Sequence, residues 1–178
     1  MKIIENVFPL EQADYIEDLL TSPLCSWSYL PDSSGNIKDG RKFPSFSKPI
    51  YNGAGGATDH EFFLRFEPIS MTIVSKAQVK FGDLDRIRFG MHLSDPSWSG
   101  YHGVHVDQRS PHTVVLYYVN NSDGDTYFFE NDQKTILDRV SPKKNSMIVF
   151  DGKIPHASSY PSKGHRITIN MNFKKLDV

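Results

Sequence analysis

The chain of 178 residues is long enough for one domain with a substantial buried core, and its 20 Lys and Arg residues nearly balance its 21 Asp and Glu residues. No basic block or stripe stands out, so binding to nucleic acid or to a membrane surface is not expected. The single cysteine, Cys25, excludes an internal disulfide framework. Without a signal-peptide pattern or an apolar run of transmembrane length, we expect a soluble, cytoplasmic protein.

Two segments of the N-terminal part have apolar residues at helical spacing, and a polar segment separates them. The first, residues 10–22, predicts a short amphipathic helix that ends before Pro23. Residues 31–59 are rich in Gly, Ser, Pro and Asp and predict a loop with at most a short strand or two. The second, residues 58–79, predicts a longer helix in which Pro68 marks a kink or an early break.

Beyond Gly82 the pattern changes to short segments rich in β-branched and aromatic residues, which alternate with turn clusters. These segments predict strands at 86–93, 100–107, 112–120, 125–130, 135–140, 146–150, 154–160 and 165–173. Many short strands at this spacing are typical of a sandwich or barrel of the jelly-roll kind. We therefore expect one α+β, mainly β domain over residues 1–178. Its jelly-roll core (double-stranded β-helix, cupin-like) would span 83–175, with the helices of the helical and loop part, 1–82, packed outside.

The segment YHGVHVDQ, residues 101–108, places a His and an Asp two positions apart. Strand alternation predicts one face that carries Tyr101, Gly103, His105 and Asp107. Because both polar side chains can reach one metal ion, a third ligand is expected from elsewhere. The candidate is His156 in FDGKIPHASS, which a returning strand could place opposite. Two histidines and one carboxylate form the triad expected of non-haem Fe(II) oxygenases.

The predicted strand RITINMNF begins at Arg166, ten residues after His156. Alternation predicts a core-facing apolar side formed by Ile167, Ile169, Met171 and Phe173. The other side carries Arg166, Thr168, Asn170 and Asn172, and it either lines a polar pocket or is an exposed face of a sandwich strand. In a pocket, the planar guanidinium could pair bidentately with a carboxylate, as the binding of a dicarboxylate requires.

Taken together, these motifs resemble the 2-oxoglutarate- and Fe(II)-dependent dioxygenases, and more narrowly the prolyl-4-hydroxylase-like group with its small single-domain bacterial and phage members. The resemblance covers roughly residues 84–174. LYYVNNSDGDTYFFE is similar to the group's strand, turn and strand between the ligands. SPKKNSMIVFDGKIPHASSYPSKGHRITINMNF is similar to the stretch with the distal His and the Arg. IENVFPLEQADYIEDLL is similar to the group's opening segment.

The resemblance implies a metal centre and a co-substrate anchor. His105, Asp107 and His156 would bind Fe(II), and Arg166 would pair with the distal carboxylate of 2-oxoglutarate. The implied cofactors are Fe(II), 2-oxoglutarate as co-substrate and O2, with ascorbate as a candidate reductant. Related halogenases lack the carboxylate ligand, so Asp107 favours hydroxylation.

Further residues are expected around the co-substrate. By the resemblance, Tyr118 would donate a hydrogen bond to the same carboxylate, and Thr168 would add a hydroxyl group. Tyr101, on the predicted face of His105, would line the site near iron or substrate. Four other positions are open as contacts of co-substrate or substrate: Arg88, His92, Asn170 and Asn172.

The implied reaction is hydroxylation of an unactivated C–H bond with release of succinate and CO2. Its substrate would be a prolyl residue or another amino acid or peptide, so a small molecule, a peptide or a protein is the expected partner. A zinc-dependent hydrolase with the same three ligands and a non-catalytic metal- or ligand-binding jelly roll are the alternatives. Residues 31–59 and 94–103, which include Trp98, are expected at the substrate rim, with His102 and His112 as rim residues.

Overall fold

The computed structural model describes residues 1–33, 42–80, 83–97 and 99–175, which form two antiparallel sheets and two α-helices. The strands of the larger sheet are β1 (Lys2–Glu5), β2 (Ser28–Leu30), β3 (Ser45–Asn52), β4 (Gly56–Ala57), β5 (Leu84–Leu93), β6 (His112–Tyr118), β9 (Ser146–Asp151) and β11 (His165–Lys174). Those of the smaller sheet are β7 (Thr126–Phe129), β8 (Ile136–Val140) and β10 (His156–Ser158). The larger sheet has the order β1-β9-β6-β11-β5-β3-β2, with β4 paired to β3, and the smaller sheet has the order β10-β7-β8.

Helices α1 (Leu10–Thr21) and α2 (His60–Ala77) pack against one face of the larger sheet. Helix α2 begins after Asp59, whose carboxylate accepts a hydrogen bond from the backbone N of Phe62 at 3.0 Å. The ring of Phe66 in α2 lies 4.8 Å from that of Phe89 in β5, edge to face. The expected fold class, mainly β with the N-terminal helices packed outside a jelly roll, is confirmed. Within the described residues, neither helix is long and apolar enough to cross a membrane.

The opposite face of the larger sheet meets the smaller sheet. A second apolar cluster lies there, formed by Val114, Leu116, Tyr118, Phe128, Ile148 and Phe150. Polar side chains of β5 and β11 extend from the same face but do not join this cluster. They line a cavity of about 110 Å³ between the two sheets.

The N-terminal part contains more strand than the expected helices and the expected loop with at most a short strand or two. Strand β1 pairs with β9 at one edge, and β3 pairs with β5 and carries β2 at the other, so both edges of the larger sheet come from this part. These strands give weak sequence signals, because β1 is four residues long and β3 contains Pro49. Helix α2 also continues through Pro68, so of the two expected outcomes there, a kink or an early break, the break does not occur.

The strand expected at 100–107 is the main error in the β region. Only Tyr101 and His105 form isolated bridges, with Ser159 and His156 respectively, and the rest of the segment is irregular. Most of the segment therefore lacks the strand geometry that fixes side-chain alternation. Of the expected substrate rim, Trp98 and residues 34–41 lie outside the described residues.

Candidate functional site

His105, Asp107 and His156 lie together in the wall of the cavity between the sheets. One ligand atom from each lies within 4.8 Å of the others. The backbone brings the two histidines together, because the N of His105 donates to the O of His156 at 3.0 Å and the N of His156 donates back at 2.9 Å. The structure thus brings together the three residues that the sequence singled out as ligands.

Both imidazole rings are oriented by their own backbone. Nδ1 of His105 lies 2.9 Å from the carbonyl oxygen of Gly103, and Nδ1 of His156 lies 3.0 Å from that of Ile154. A carbonyl oxygen can only accept, so Nδ1 carries the proton in each ring and Nε2 keeps its lone pair. A metal-binding histidine needs this tautomer when Nε2 is the ligand atom.

Three donors hold the carboxylate of Asp107. Arg86 Nη2 lies 2.8 Å from Oδ1, while the amides of Asn170 and Asn172 donate to Oδ2 at 3.0 and 3.3 Å. The Asp107 side chain is 8% exposed, so these partners offset the cost of burying its charge. They also fix the direction in which the carboxylate points, as outer-sphere partners do at metal sites.

The protonation states of His156 and Asp107 suit a metal ion. Burial, followed by the charge of His105, lowers the pKa of His156 to about 4, so this imidazole is neutral at pH 7. Burial acts to raise the pKa of the Asp107 carboxyl, but the charge of Arg86 and smaller effects of His156, Asn170 and His105 outweigh it. The net result holds the pKa of Asp107 below its usual range. A neutral imidazole and an ionised carboxylate are the forms that bind Fe(II), and two histidines with one carboxylate are a donor set that fits this metal.

Arg166 is 3% exposed and lines the same cavity. Its Nε donates to the carbonyl oxygen of Gly124 at 2.7 Å, and its Nη2 donates to Oγ1 of Thr126 at 2.9 Å. A Cβ at Gly124 would lie 2.8 Å from the carbonyl oxygen of Ser159 and 3.1 Å from Cδ of Arg166, so glycine permits this close approach. Nη1 makes no hydrogen bond to the described residues, which leaves guanidinium donors for an anion.

Tyr118 contacts Arg166 through Thr126 rather than facing the cavity itself. Its hydroxyl donates to Oγ1 of Thr126 at 2.8 Å, and its ring lies 5.9 Å from the guanidinium carbon of Arg166. Burial raises the pKa of Tyr118 to about 12, so the phenol stays protonated and remains a donor. Because Thr126 Oγ1 already accepts two hydrogen bonds, its own proton is free for a further acceptor.

Strand register sets the order of polar groups along the cavity. Across the β11–β5 pair, His92 lies opposite Arg166 and Gly90 lies opposite Thr168. Farther along, Arg88 lies opposite Asn170. The cavity is lined by Thr168, an expected contact of the co-substrate. It is also lined by three of the positions that are open as contacts in the sequence analysis: Asn170, Arg88 and His92. Asn172 is fully buried and reaches Asp107 instead.

Three expected positions differ in the structure. Tyr101 does not line the cavity, because its ring packs on Tyr127 and Phe129 with centroids 5.5 and 4.8 Å apart. His102, expected at the rim, is 4% exposed and lines the cavity wall, and His112 is fully buried. The first two differences lie in the irregular segment 101–108, whose backbone lacks the regular strand geometry on which the expected faces depend.

Sequence reasoning missed Thr126, Arg86 and Gly124 as parts of the site. Gly124 and Thr126 belong to LYYVNNSDGDTYFFE, one of the segments that carry the family resemblance. Only the tertiary contacts show that Thr126 joins Arg166 to Tyr118. No spacing in the sequence links Arg86 to Asp107. Their contact depends on the pairing of β5 with β11.

Known proteins resemble this chain in the sequence of the site region and in fold. Residues 91–174, which include the three candidate ligands and Arg166, match the sequence model of the 2OG-Fe(II) oxygenase superfamily. No curated protein matches the chain in sequence. A prolyl-4-hydroxylase from Pseudomonas putida superposes with a TM-score of 0.58 at 14% identity, over 98% of this chain and 92% of that one.

Two other solved structures share the fold. One is a prolyl hydroxylase from Trichoplax adhaerens in complex with a hypoxia inducible factor peptide, with a TM-score of 0.68 at 14% identity over 97% of this chain and 82% of that one. The other is the non-heme alpha ketoglutarate dependent epimerase SnoN from nogalamycin biosynthesis, with a TM-score of 0.65 at 10% identity over 97% and 77%. The site region therefore carries the signature of the 2OG-Fe(II) oxygenases, and the chain has their fold. The resemblance to the 2OG-Fe(II) oxygenases noted from the sequence is confirmed, and the likeness to the prolyl hydroxylases is one of fold.

Proposed function

We propose that this protein is an Fe(II)- and 2-oxoglutarate-dependent dioxygenase that hydroxylates an unactivated C–H bond. The observation that carries the proposal is that one cavity holds both a two-histidine, one-carboxylate group and a buried arginine. The first suits Fe(II) with open positions for other ligands, and the second suits the free carboxylate of a bound dicarboxylate.

Each residue has a separate task in this proposal. His105, Asp107 and His156 hold the metal ion, and Arg166, Thr126 and Thr168 hold the distal carboxylate of 2-oxoglutarate, with Tyr118 supporting Thr126. Bound Fe(II), with 2-oxoglutarate and O2, supplies the oxidation of the C–H bond, while 2-oxoglutarate is converted to succinate and CO2. The protein orients the reactants and surrounds them with walls that restrict water.

The substrate proposed on the strength of the neighbours is an amino acid or a peptide. The Trichoplax adhaerens relative is a prolyl hydroxylase in complex with a peptide, which supports a prolyl or other peptide substrate. The relative that is an epimerase has the same fold and a different reaction, so the fold alone does not determine the outcome. Asp107 supports hydroxylation, because a carboxylate ligand occupies the position that a halogenase leaves for chloride.

A zinc hydrolase fits the cavity less well, because it needs a general base close to the metal. Within the described residues, Asp107 is the only carboxylate that lines the cavity. His102 is a weak base there, since burial, followed by the charge of Arg166, lowers its pKa to about 3. The buried Arg166 would also have no role in that reaction.

The test is an anaerobic titration of the Fe(II)-loaded protein with 2-oxoglutarate, followed by the visible charge-transfer band of the chelated complex. We expect the band in the wild type, its loss in His156→Ala, and its retention in His60→Ala, which changes an exposed histidine. Absence of the band in the wild type, together with tight zinc binding, would refute the proposal and favour the hydrolase.

A further inference from the structure

Arg88 is a second arginine in the cavity wall, well separated from Arg166 along the sheet. It lies on β5 opposite Asn170 of β11, whereas Arg166 lies opposite His92. Arg166 and Asn170 are four residues apart, which corresponds to about 13 Å along a strand. Asn170 donates to Asp107, so Arg88 lies near the metal-ligand group rather than near the proposed co-substrate anchor.

The arginines that line the cavity differ in the ion pairs and hydrogen bonds that their guanidinium groups form. Arg86 forms an ion pair with Asp107, and Arg166 donates to Gly124 and Thr126. Arg88 donates only from Nε, to Oγ of Ser47 at 2.8 Å, and no carboxylate of the described residues forms an ion pair with it. The charge of Asp107 acts on Arg88 from a distance, but its carboxylate pairs directly with Arg86. A half-buried guanidinium without an ion pair of its own is costly, so its remaining donors are suited to an anionic ligand.

A bound metal and co-substrate would not supply that counter-ion. In the proposed function, the negative charge of the distal carboxylate of 2-oxoglutarate pairs with Arg166. The charge at the other end, which binds the metal, is neutralised by the metal ion. Asp107 is already matched by Arg86 and the metal. The guanidinium of Arg88 is therefore the positive charge left for the third component of the reaction, the substrate.

We propose that Arg88 binds a carboxylate of the substrate, which makes the substrate class a carboxylate-bearing molecule, such as a free amino acid or the C-terminal end of a peptide. This inference rests on the proposed function, because it takes the Arg166 end as occupied by co-substrate. The planar fork of arginine matches a carboxylate bidentately. Oδ1 of Asn170, which is buried and unpaired, lies across the register from Arg88 and can accept an N–H of the same molecule.

The experiment measures binding to the Zn(II)-loaded protein with saturating 2-oxoglutarate, so that no turnover is needed. The probes are the free L-amino acids, Gly-Gly-X tripeptides, and acetylated, amidated Asp and Glu, with each acid compared with its carboxamide. These three groups distinguish a free amino acid, a peptide C-terminus and an acidic side chain as the source of the carboxylate. Calorimetry gives the affinities, and shifts of the Fe(II)–2-oxoglutarate band give an independent signal.

We expect at least one acid to bind the wild type about tenfold or more tightly than its carboxamide, since a charged hydrogen-bonded pair is lost with the amide. In Arg88→Gln the preference should fall to less than about threefold, while Arg88→Lys should keep part of it because the positive charge remains. Arg65→Gln, which changes an exposed arginine of α2, should behave as the wild type. Thermal unfolding of each variant checks that the fold is intact.

Equal binding of every acid and its amide by the wild type would overturn the inference, as would a preference that persists in Arg88→Gln. A tenfold loss of 2-oxoglutarate affinity in Arg88→Gln would overturn it as well, because Arg88 would then serve the co-substrate. Failure of the proposed function has a different signature, namely no Fe(II)–2-oxoglutarate band in the wild type. The measurements on zinc-loaded protein still test Arg88 in that case.

Discussion

The two faces of strand β11 are buried to a similar degree but surrounded in different ways. One face packs against the helices and is formed by Ile167, Ile169, Met171 and Phe173. The other faces the smaller sheet and is formed by Arg166, Thr168, Asn170 and Asn172. Ile169 is 0% exposed and Arg166 is 3% exposed, so burial alone does not distinguish the faces.

The difference lies in the partners of the buried atoms. The apolar face packs within the hydrophobic core, whereas the cavity on the polar side contains buried atoms without partners in the described part of the chain. Oδ1 of Asn170 is one, and both ring nitrogens of His92, opposite Arg166, are others. Unpaired buried polar atoms are rare in folded proteins, so they mark the place where a ligand is expected. The comparison predicts that one face controls binding and the other controls folding.

The largest expected effect on the polar face comes from Arg166→Ala. Loss of one partner of a buried, hydrogen-bonded charge pair costs about 2–5 kcal/mol, so the affinity for 2-oxoglutarate should fall about 30-fold or more. Metal binding should persist, because the three ligands are untouched. Calorimetry with 2-oxoglutarate and with the metal separates the two effects. Arg65→Ala, at an exposed arginine of α2, serves as the control, and an unchanged co-substrate affinity in Arg166→Ala would contradict the assigned role.

On the apolar face, Ile169→Ala should lower the free energy of unfolding by about 2–5 kcal/mol, because it leaves a cavity in the core. Urea unfolding measures this effect, and Leu137→Ala on the exposed strand β8 should change it by less than about 0.5 kcal/mol. Affinities of the folded Ile169→Ala protein for metal and 2-oxoglutarate should match the wild type. A large loss of either affinity would show that the two faces do not act separately.

A smaller effect is expected from Asn170→Ala, which removes the donor to Oδ2 of Asp107. The affinity for the metal should fall about tenfold, which is the smallest loss usual for residues that hydrogen-bond a metal ligand. The loss is small because Arg86 and Asn172 still hold the carboxylate. Competition with a coloured chelator measures the change, with the exposed Asn52→Ala as the matched control. Equal metal affinities in the two variants would mean that Asn170 does not position the ligand.

Much of the fold was predictable because its signals are local. The helical spacing of α1 and α2 and most strands after residue 83 followed from periodicity and turn residues. The strands β1 and β3 were harder to predict, because they are stabilised by pairing with β9 and β5, which are distant in sequence. The irregular segment 101–108 was misread as a strand because its composition suits one, while its bridges to Ser159 and His156 are set by the tertiary structure.

The sequence by itself determined the types and spacing of the groups that define the candidate site. His105, Asp107, His156 and Arg166 are recognisable because metal binding and carboxylate binding require these side chains, and strand alternation predicts the polar face of β11. Only the tertiary structure decided which other residues join them. Arg86 reaches Asp107, Thr126 joins Arg166 to Tyr118, and Arg88 is left without a counter-ion, because strands far apart in sequence are paired in one register. Such pairings depend on the whole packed core, and no local pattern encodes them.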